Sequence, residues 1–248
     1  MVKNCRYKIR TPFSRIGGKS QLRAKILPLI PEHKTYVEPF VGGGTIFFGK
    51  RGAQIEVLND LDDEVATTLK VFQNTDGQTI SDRINGTYSK EDFETLKGED
   101  PTGKSDFDRA VRFLKMSKLS FQGNHKQFIS AKPYIRSKYS ARYKERLNGV
   151  TILNEDYRGV IERYDGVDTF FYLDPPYTKS KTKHYVHHKV SPNDVLECVR
   201  NIKGKFLLSY NDCPEVRELF KQYTVTEVQT TYSGKKKKLV TELLIRNY

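Results

Sequence analysis

The sequence predicts an α/β protein: a mixed seven-stranded sheet with helices on both faces, a terminal β-hairpin, and a mainly helical inserted subdomain. Three observations predict it. Short apolar segments alternate with helix-periodic ones at both ends of the chain, as βα units do. Two long β-rich runs close the chain around a turn, which adds an antiparallel ending. Between about Asn74 and Gly149 the alternation gives way to polar, helical sequence.

Taken in order, residues 36–40 read as a first strand running into Gly42-Gly43-Gly44, with a helix starting over 45–50. Residues 55–59 form a second strand ending at Asp60, and Val65, Leu69 and Phe72 follow at helical spacing. Inside the insert, Ser89 is placed to cap a helix carrying Phe93 and Leu96, and a second helix spans 105–119. A basic segment studded with aromatics follows over 126–146. Residues 151–154 are a third strand ending at Glu155-Asp156. The fourth, Thr169-Phe170-Phe171-Tyr172-Leu173, is short, aromatic-rich and does not alternate, as a strand buried on both faces should be. Residues 205–210 are the fifth, and Val216, Leu219 and Phe220 mark a helix. The runs 224–232 and 239–248 pair across Ser233-Gly234 and four lysines. This divides the chain into one domain over 1–73 and 150–248 and an inserted one over 74–149.

A formal net charge of +13, from 43 basic and 30 acidic residues, points to a polyanionic partner. No apolar run approaches the roughly 20 residues that span a bilayer, and the basic start of the chain lacks the apolar stretch of a signal peptide. An intracellular protein with no membrane partner is expected. Three widely spaced cysteines, Cys5, Cys198 and Cys213, read as ordinary thiols in a reducing compartment. No spacing suggests zinc, and no metal is expected. His184, His187 and His188 sit in a lysine-rich loop and read as solvated groups facing the polyanion.

The chemistry centres on Asp174-Pro175-Pro176-Tyr177, directly after the fourth strand. A carboxylate is thereby delivered at the carboxyl end of a strand, where open α/β sheets bind ligands. The prolines forbid helix there, and the second leaves the Pro175 carbonyl without a neighbouring N–H. Two acceptors and a flat aromatic face suit a planar group bearing an amine with two hydrogens, such as the exocyclic amine of a nucleobase. A strand-ending turn covered by a tyrosine would read the same way, so the context decides.

That context is a glycine loop and two further acids. Residues 38–44 bring bare backbone up to a ligand. The run from Gly44 to Lys50 imitates the start of a P-loop, but Arg51 stands where a magnesium-binding hydroxyl belongs, and Ile46-Phe47-Phe48 are core residues. Asp60, roughly sixteen residues beyond the glycines, is placed for a ribose diol. Asp156 repeats the geometry. The loop has no Lys or Arg in its own turn, so an adenosine ligand without phosphates fits better than a dinucleotide.

With these residues in place, the chain resembles the Dam-like DNA adenine-N6 methyltransferases, which use S-adenosylmethionine. The resemblance rests on Pro12-Phe13 through Ile16-Gly17-Gly18-Lys19, residues 36–44, Leu58-Asn59-Asp60, Asn154 to Tyr157, Leu173 to Tyr177, and the terminal Lys238-Leu-Val-Thr-Glu242-Leu-Leu. These occur in the family's order and cover nearly the whole chain except about 75–149. The resemblance implies a Rossmann-like catalytic domain. It implies that Ile16, Gly17 and Lys19 contact the methionine end of the cofactor. Glu38, Phe40, Gly42, Gly43 and Gly44 would floor its pocket, Asp60 would hold the ribose, and Asp156, with Tyr157 beside it, the adenine amine. Asp174 borders the same pocket. Two departures stand out: the family usually has an aromatic at Ile16, and residues 121–133 lack a clear match to its most familiar recognition region.

The implied reaction is methyl transfer to the exocyclic amine of an adenine flipped out of duplex DNA, with Asp174 and the Pro175 carbonyl binding the amine hydrogens. Pro176 stiffens the turn and Tyr177 stacks on the base. Neither a metal nor a covalent intermediate is required. DNA contacts are expected from Lys126, Lys132, Arg136, Lys138 and Arg142, interleaved with Phe128, Tyr134, Tyr139 and Tyr143, with Lys144 and Arg146 in the same run. Further contacts are expected from Lys179, Lys181, Lys183 and Tyr185 beside the pocket, and from the lysines at 235–238. Such an enzyme would act as a monomer or weak dimer on DNA and is compatible with a partner restriction endonuclease. Competing readings are methylation of RNA adenine or of the cytosine amine, and a DNA-binding relative without turnover.

Overall fold

A computed structural model describes residues 9–177, 190–232 and 238–248. In chain order the elements are α1 (Arg23–Ile26), β1 (Thr35–Glu38), β2 (Ile55–Asn59), α2 (Asp63–Asn74), α3 (Gly77–Ile84), β3 (Gly86–Thr87), α4 (Lys90–Gly98), α5 (Asp106–Leu119), β4 (Tyr134–Ile135) and α6 (Arg142–Leu147). They continue with β5 (Thr151–Leu153), α7 (Tyr157–Tyr164), β6 (Thr169–Leu173), α8 (Pro192–Val199), β7 (Lys205–Asn211), α9 (Pro214–Leu219), β8 (Thr224–Tyr232) and β9 (Lys238–Arg246).

Seven strands form one mixed sheet in the order β5-β2-β1-β6-β7-β9-β8. The first five are mutually parallel, and β9 runs antiparallel between β7 and β8. The expected α/β class, sheet size and terminal hairpin are all present. From β1 the chain moves outward through β2 to β5, then returns to lay β6 on the other side of β1. The carboxyl ends of β1 and β6 are therefore neighbours, with Val37 opposite Phe171. In sheets of this kind, that reversal opens a crevice for ligands.

Alternate residues of the central strands feed two separate cores. Tyr36, Leu58, Phe170, Tyr172 and Leu207 pack on one face, together with Phe72, Phe93, Phe113 and Tyr139. Val37, Val57, Phe171, Leu173 and Leu208 pack on the other, against Val160, Val195 and Phe220. All five residues of β6 are buried, as its uninterrupted apolar run predicts.

The insert contributes its own aromatics to the first core. The rings of Phe13 and Phe113 meet edge-on at 5.0 Å, and those of Phe72 and Tyr139 at 4.8 Å. Its helices start where polar side chains satisfy the first backbone N–H groups. Ser89 forms a reciprocal capping box with Asp92 at α4, and Ser105 caps α5. The insert is also tied back by Gln73 Nε2, which donates to the carbonyls of Leu147 and Val150, and by Tyr139 Oη, which donates to the Pro12 carbonyl.

Two sequence expectations are corrected. The first strand ends at Glu38, because Pro39 cannot donate to a ladder. Residues 45–50 are a series of turns in place of a helix: Phe48 N bonds the Gly44 carbonyl, whereas Gly49 N and Lys50 N both bond that of Ile46. Three consecutive side chains, Ile46, Phe47 and Phe48, are fully buried there.

Candidate active site

β6 delivers Asp174 to the crevice beside β1. Three donors fix one oxygen of its carboxylate: Lys19 Nζ at 2.7 Å, Ser209 Oγ at 3.0 Å and Tyr177 Oη at 3.3 Å all reach Oδ1. Among the described residues none reaches Oδ2, and none reaches the carbonyl of Pro175. The turn thus presents two acceptors while its orientation is set from the other side. Ser209 stands on β7 and also meets the hydroxyl of Tyr172 at 3.2 Å, which anchors the carboxylate to the sheet.

Lys19 is buried, with 5% of its surface exposed, and Gly17 holds it through its carbonyl at 3.0 Å. Its ammonium lies 5.0 Å from the centre of the Tyr177 ring. That ring packs on Tyr210 at 4.7 Å, and its hydroxyl also lies 3.3 Å from Glu242 Oε2. A base stacked on Tyr177 would have to take the place of one of these neighbours. Ile16 and Gly17 line a cleft of about 250 Å³ together with Arg15, Lys19, Gln122, Thr231 and Glu242.

The glycine loop follows β1. Gly43 is there because of close approach: a Cβ on it would lie 2.7 Å from Thr11 Oγ1 and 3.1 Å from the Phe13 carbonyl. Asp60 at the end of β2 braces the loop, with Oδ2 accepting from Gly42 N at 2.7 Å and Oδ1 from Asp62 N at 3.0 Å. Burial pushes its carboxyl above the ordinary range, against the pull of Arg15 and the two N–H groups. Glu38, deeper in the crevice, accepts from Tyr36 Oη at 2.8 Å. Burial, with the nearby Asp174 adding to it, pushes the Glu38 carboxyl up to about 8, against the Tyr36 hydrogen bond.

The half-buried Phe40 ring lies 4.8 Å from that of Tyr157. The hydroxyl of Tyr157 is buried and, among the described residues, without a partner. Asp156 is more exposed and caps α7, with Oδ1 accepting from Arg158 N at 2.9 Å. The structure therefore brings Lys19, Glu38, Asp174 and Tyr177 together at the crossing of β1 and β6. Phe40, Asp60, Asp156 and Tyr157 flank it on the β2–β5 side. Among the described residues, no group of three or more His, Cys, Asp or Glu side chains is arranged to hold a metal, and no helix is long and apolar enough to cross a membrane.

Comparison with known proteins bears on the same residues. The family description "D12 class N6 adenine-specific DNA methyltransferase" matches residues 16–234. The chain belongs to that family. It is 30% identical to the type II methyltransferase M1.LlaDCHI of Lactococcus lactis subsp. cremoris, covering 96% of this chain and 95% of the relative. It is 28% identical to the type II methyltransferase M.CviBI of Paramecium bursaria Chlorella virus NC1A, covering 94% and 97%. The DNA N-6-adenine-methyltransferase of Escherichia phage P1 is 26% identical over 85% of this chain and 31% of its own length.

For a D12 methyltransferase, the basic run of the insert divides in two. Lys126, Lys132, Arg136, Lys138, Arg142 and Lys144 are exposed. Arg146 is a correction. It is buried, donates to both oxygens of Glu56, and lies over the Phe47 ring at 3.5 Å, so it serves the fold. Tyr139 is buried in the core, and Tyr143 packs on Phe48 and Phe72. Lys179, Lys181, Lys183, Tyr185, the three loop histidines and residues 235–237 lie outside the described residues.

Sequence reasoning assigned no role to Ser209, Tyr210 or Glu242, which meet Asp174 and Tyr177 from β7 and β9. One signal was available: Glu242 directly precedes the apolar run Leu243-Leu244-Ile245, where a buried carboxylate is costly without partners.

Proposed function

We propose that the protein transfers the methyl group of S-adenosylmethionine to the exocyclic amine of an adenine flipped out of duplex DNA. The observation that carries this reading is a pair of acceptors, Asp174 Oδ2 and the Pro175 carbonyl, that no donor among the described residues reaches, at the sheet's reversal point. An adenine amine has two hydrogens and a lone pair delocalised into its ring. Accepting both hydrogens favours the pyramidal, nucleophilic amine and stabilises the positive charge that develops on it. Lys19, Ser209 and Tyr177 hold the carboxylate in place while it does so.

The neighbouring residues fit the cofactor. Gly43 leaves room where a Cβ would collide, Asp60 places a carboxylate beside the glycine loop, and Phe40 with Tyr157 offers aromatic surface carrying a buried hydroxyl that has no partner among the described residues. When bound, S-adenosylmethionine supplies an electrophilic methyl group on a sulfonium. Glu38 and Asp156 border this pocket, and Ile16, Gly17 and Lys19 its methionine end. The crevice aligns the amine for in-line attack. Extracting the base costs a few kcal/mol, which phosphate contacts from the insert's exposed Lys126, Lys132, Arg136, Lys138 and Arg142 offset. An enzyme acting on DNA in this way works inside the cell.

The test is incubation with methyl-labelled S-adenosylmethionine and duplex DNA, RNA or neither, followed by digestion to nucleosides. Label in N6-methyladenine from duplex DNA is the expected result. Label in N4-methylcytosine, in RNA, or in no nucleic acid refutes the proposal.

A further inference from the structure

In the strand order β5-β2-β1-β6, β1 lies between the two ends that divide the reaction. Asp60 follows β2 on the cofactor side, and Asp174 follows β6 on the side of the target amine. Methyl transfer needs sulfur, methyl carbon and amine nitrogen in line, with the reacting atoms about 3–3.5 Å apart beforehand. A sulfur that bridges the two sides stands over the carboxyl end of β1. The last residue of that strand is Glu38, which is 2% exposed.

The acids on either side of Glu38 feel nearby cations that Glu38 itself lacks. Asp174 is paired with Lys19 at 2.7 Å, and Arg15 pulls on Asp60. Among the described residues Glu38 forms no ion pair, and its donors are neutral: Tyr36 Oη at 2.8 Å and Phe47 N. The charge of Lys50 also reaches it, but that ammonium is bound to Glu56 at 2.6 Å. From β6, Asp174 opposes its ionisation, and Tyr172 lies near enough to feel its charge. A carboxylate buried without a cation is costly to ionise, and this one keeps its proton up to about 8. A cation brought beside it removes that obstacle.

We propose that Glu38 is the counter-ion of the cofactor's sulfonium, ionising when S-adenosylmethionine binds and staying neutral when the uncharged product, S-adenosylhomocysteine, binds. This deepens the methyl-transfer reading above and rests on it. The protein then releases a proton on binding the donor alone, and separates donor from product by charge where the two differ by one methyl group. Proton and sulfonium exclude each other at Glu38. Raising the pH therefore strengthens donor binding until the carboxyl of the free protein has lost its proton. Product binding has no such dependence on Glu38.

Titration calorimetry of the whole protein, run in phosphate and in Tris, counts the protons exchanged because the two buffers differ in ionisation enthalpy. At pH 7, S-adenosylmethionine should release about one proton more than S-adenosylhomocysteine does, and the ratio of their affinities should rise roughly fivefold from pH 7 to 8. Glu38→Gln keeps the size and an oxygen that can accept from Tyr36, but not the charge. In that variant both differences should vanish. The donor should bind at least about tenfold more weakly at pH 8, with the product within about threefold of wild type. The ligand's own amino group contributes equally against both proteins, so the comparison isolates Glu38. Equal proton release by donor and product in the wild-type protein overturns the proposal without recourse to a variant, and so does a difference that survives Glu38→Gln. Failure of both ligands to bind overturns it together with the methyl-transfer reading.

Discussion

Replacing Glu56 by Gln should unfold this protein at a markedly lower temperature, although Glu56 lies far from any substrate. Its carboxylate sits on β2 and is 7% exposed. Lys50 Nζ reaches Oε1 at 2.6 Å, and Arg146 of α6 grips both oxygens. Both cations are themselves buried. Removing this negative charge leaves two desolvated positive groups without the carboxylate they share, which costs about 3–5 kcal/mol where a buried pair loses a partner. For a chain of this length each kcal/mol moves the melting temperature by about 2–4 °C, so a fall of about 6–20 °C is expected in calorimetry at pH 7.

The same reasoning predicts that replacing all three residues, Glu56→Leu with Lys50→Met and Arg146→Met, costs less than the single change, because no uncompensated charge remains. The pH dependence has a definite sign. Burial pushes the Glu56 carboxyl up, but Arg146 and Lys50 together outweigh it and hold it below the ordinary value. Its contribution is therefore present above the unfolded-state value and lost as pH falls through the folded one. The difference between wild type and Glu56→Gln should shrink in acid. A Glu56→Gln melting temperature within 2 °C of wild type, or a triple variant less stable than the single, would refute the argument.

Asp174→Asn should lower single-turnover methyl transfer on the order of 10²–10³-fold with DNA affinity within threefold; near-wild-type turnover would remove Asp174 from its assigned role. His125 packs edge-on against Phe113 at 4.8 Å, and burial, with Arg15 adding to it, pushes its imidazole down to about 4. The unfolded chain then binds the extra proton first, so urea midpoints should fall as pH drops from about 6.5 toward 4. His125→Asn should flatten that slope, whereas an unchanged slope contradicts the account. Gly43→Ala would drive a Cβ into Thr11 and the Phe13 carbonyl. Titration calorimetry should show at least tenfold weaker S-adenosylhomocysteine binding, partly restored by Thr11→Ala. Unaltered binding would separate the loop from the cofactor pocket.

Much of the site was legible in the sequence because its chemistry is local. Asp174, Pro175, Pro176 and Tyr177 are consecutive, so the turn and its acceptors can be read from one stretch, although Lys19 and Ser209 are needed to orient the carboxylate. β6 and the capped helices α4 and α5 were readable for the same reason, since an unbroken apolar run and a Ser three residues ahead of an Asp are signals within one stretch of chain. The turns over 45–50 were misread as a helix because three successive buried side chains leave no periodicity to measure. Arg146 was read with its exposed basic neighbours because charge says nothing about depth, and its partner Glu56 lies 90 residues away.

By itself, then, the sequence determined the α/β class, the carboxylates at the strand ends and the turn that presents them. Only the tertiary structure decided which strand ends meet. The reversal between β1 and β6 sets Asp174 beside Glu38, and the antiparallel insertion of β9 next to β7 brings Glu242 to Lys19, 223 positions distant in the chain. Strand order and long-range ion pairing arise from burying two faces of one sheet at once. That is a property of the whole packed chain, which no single segment encodes.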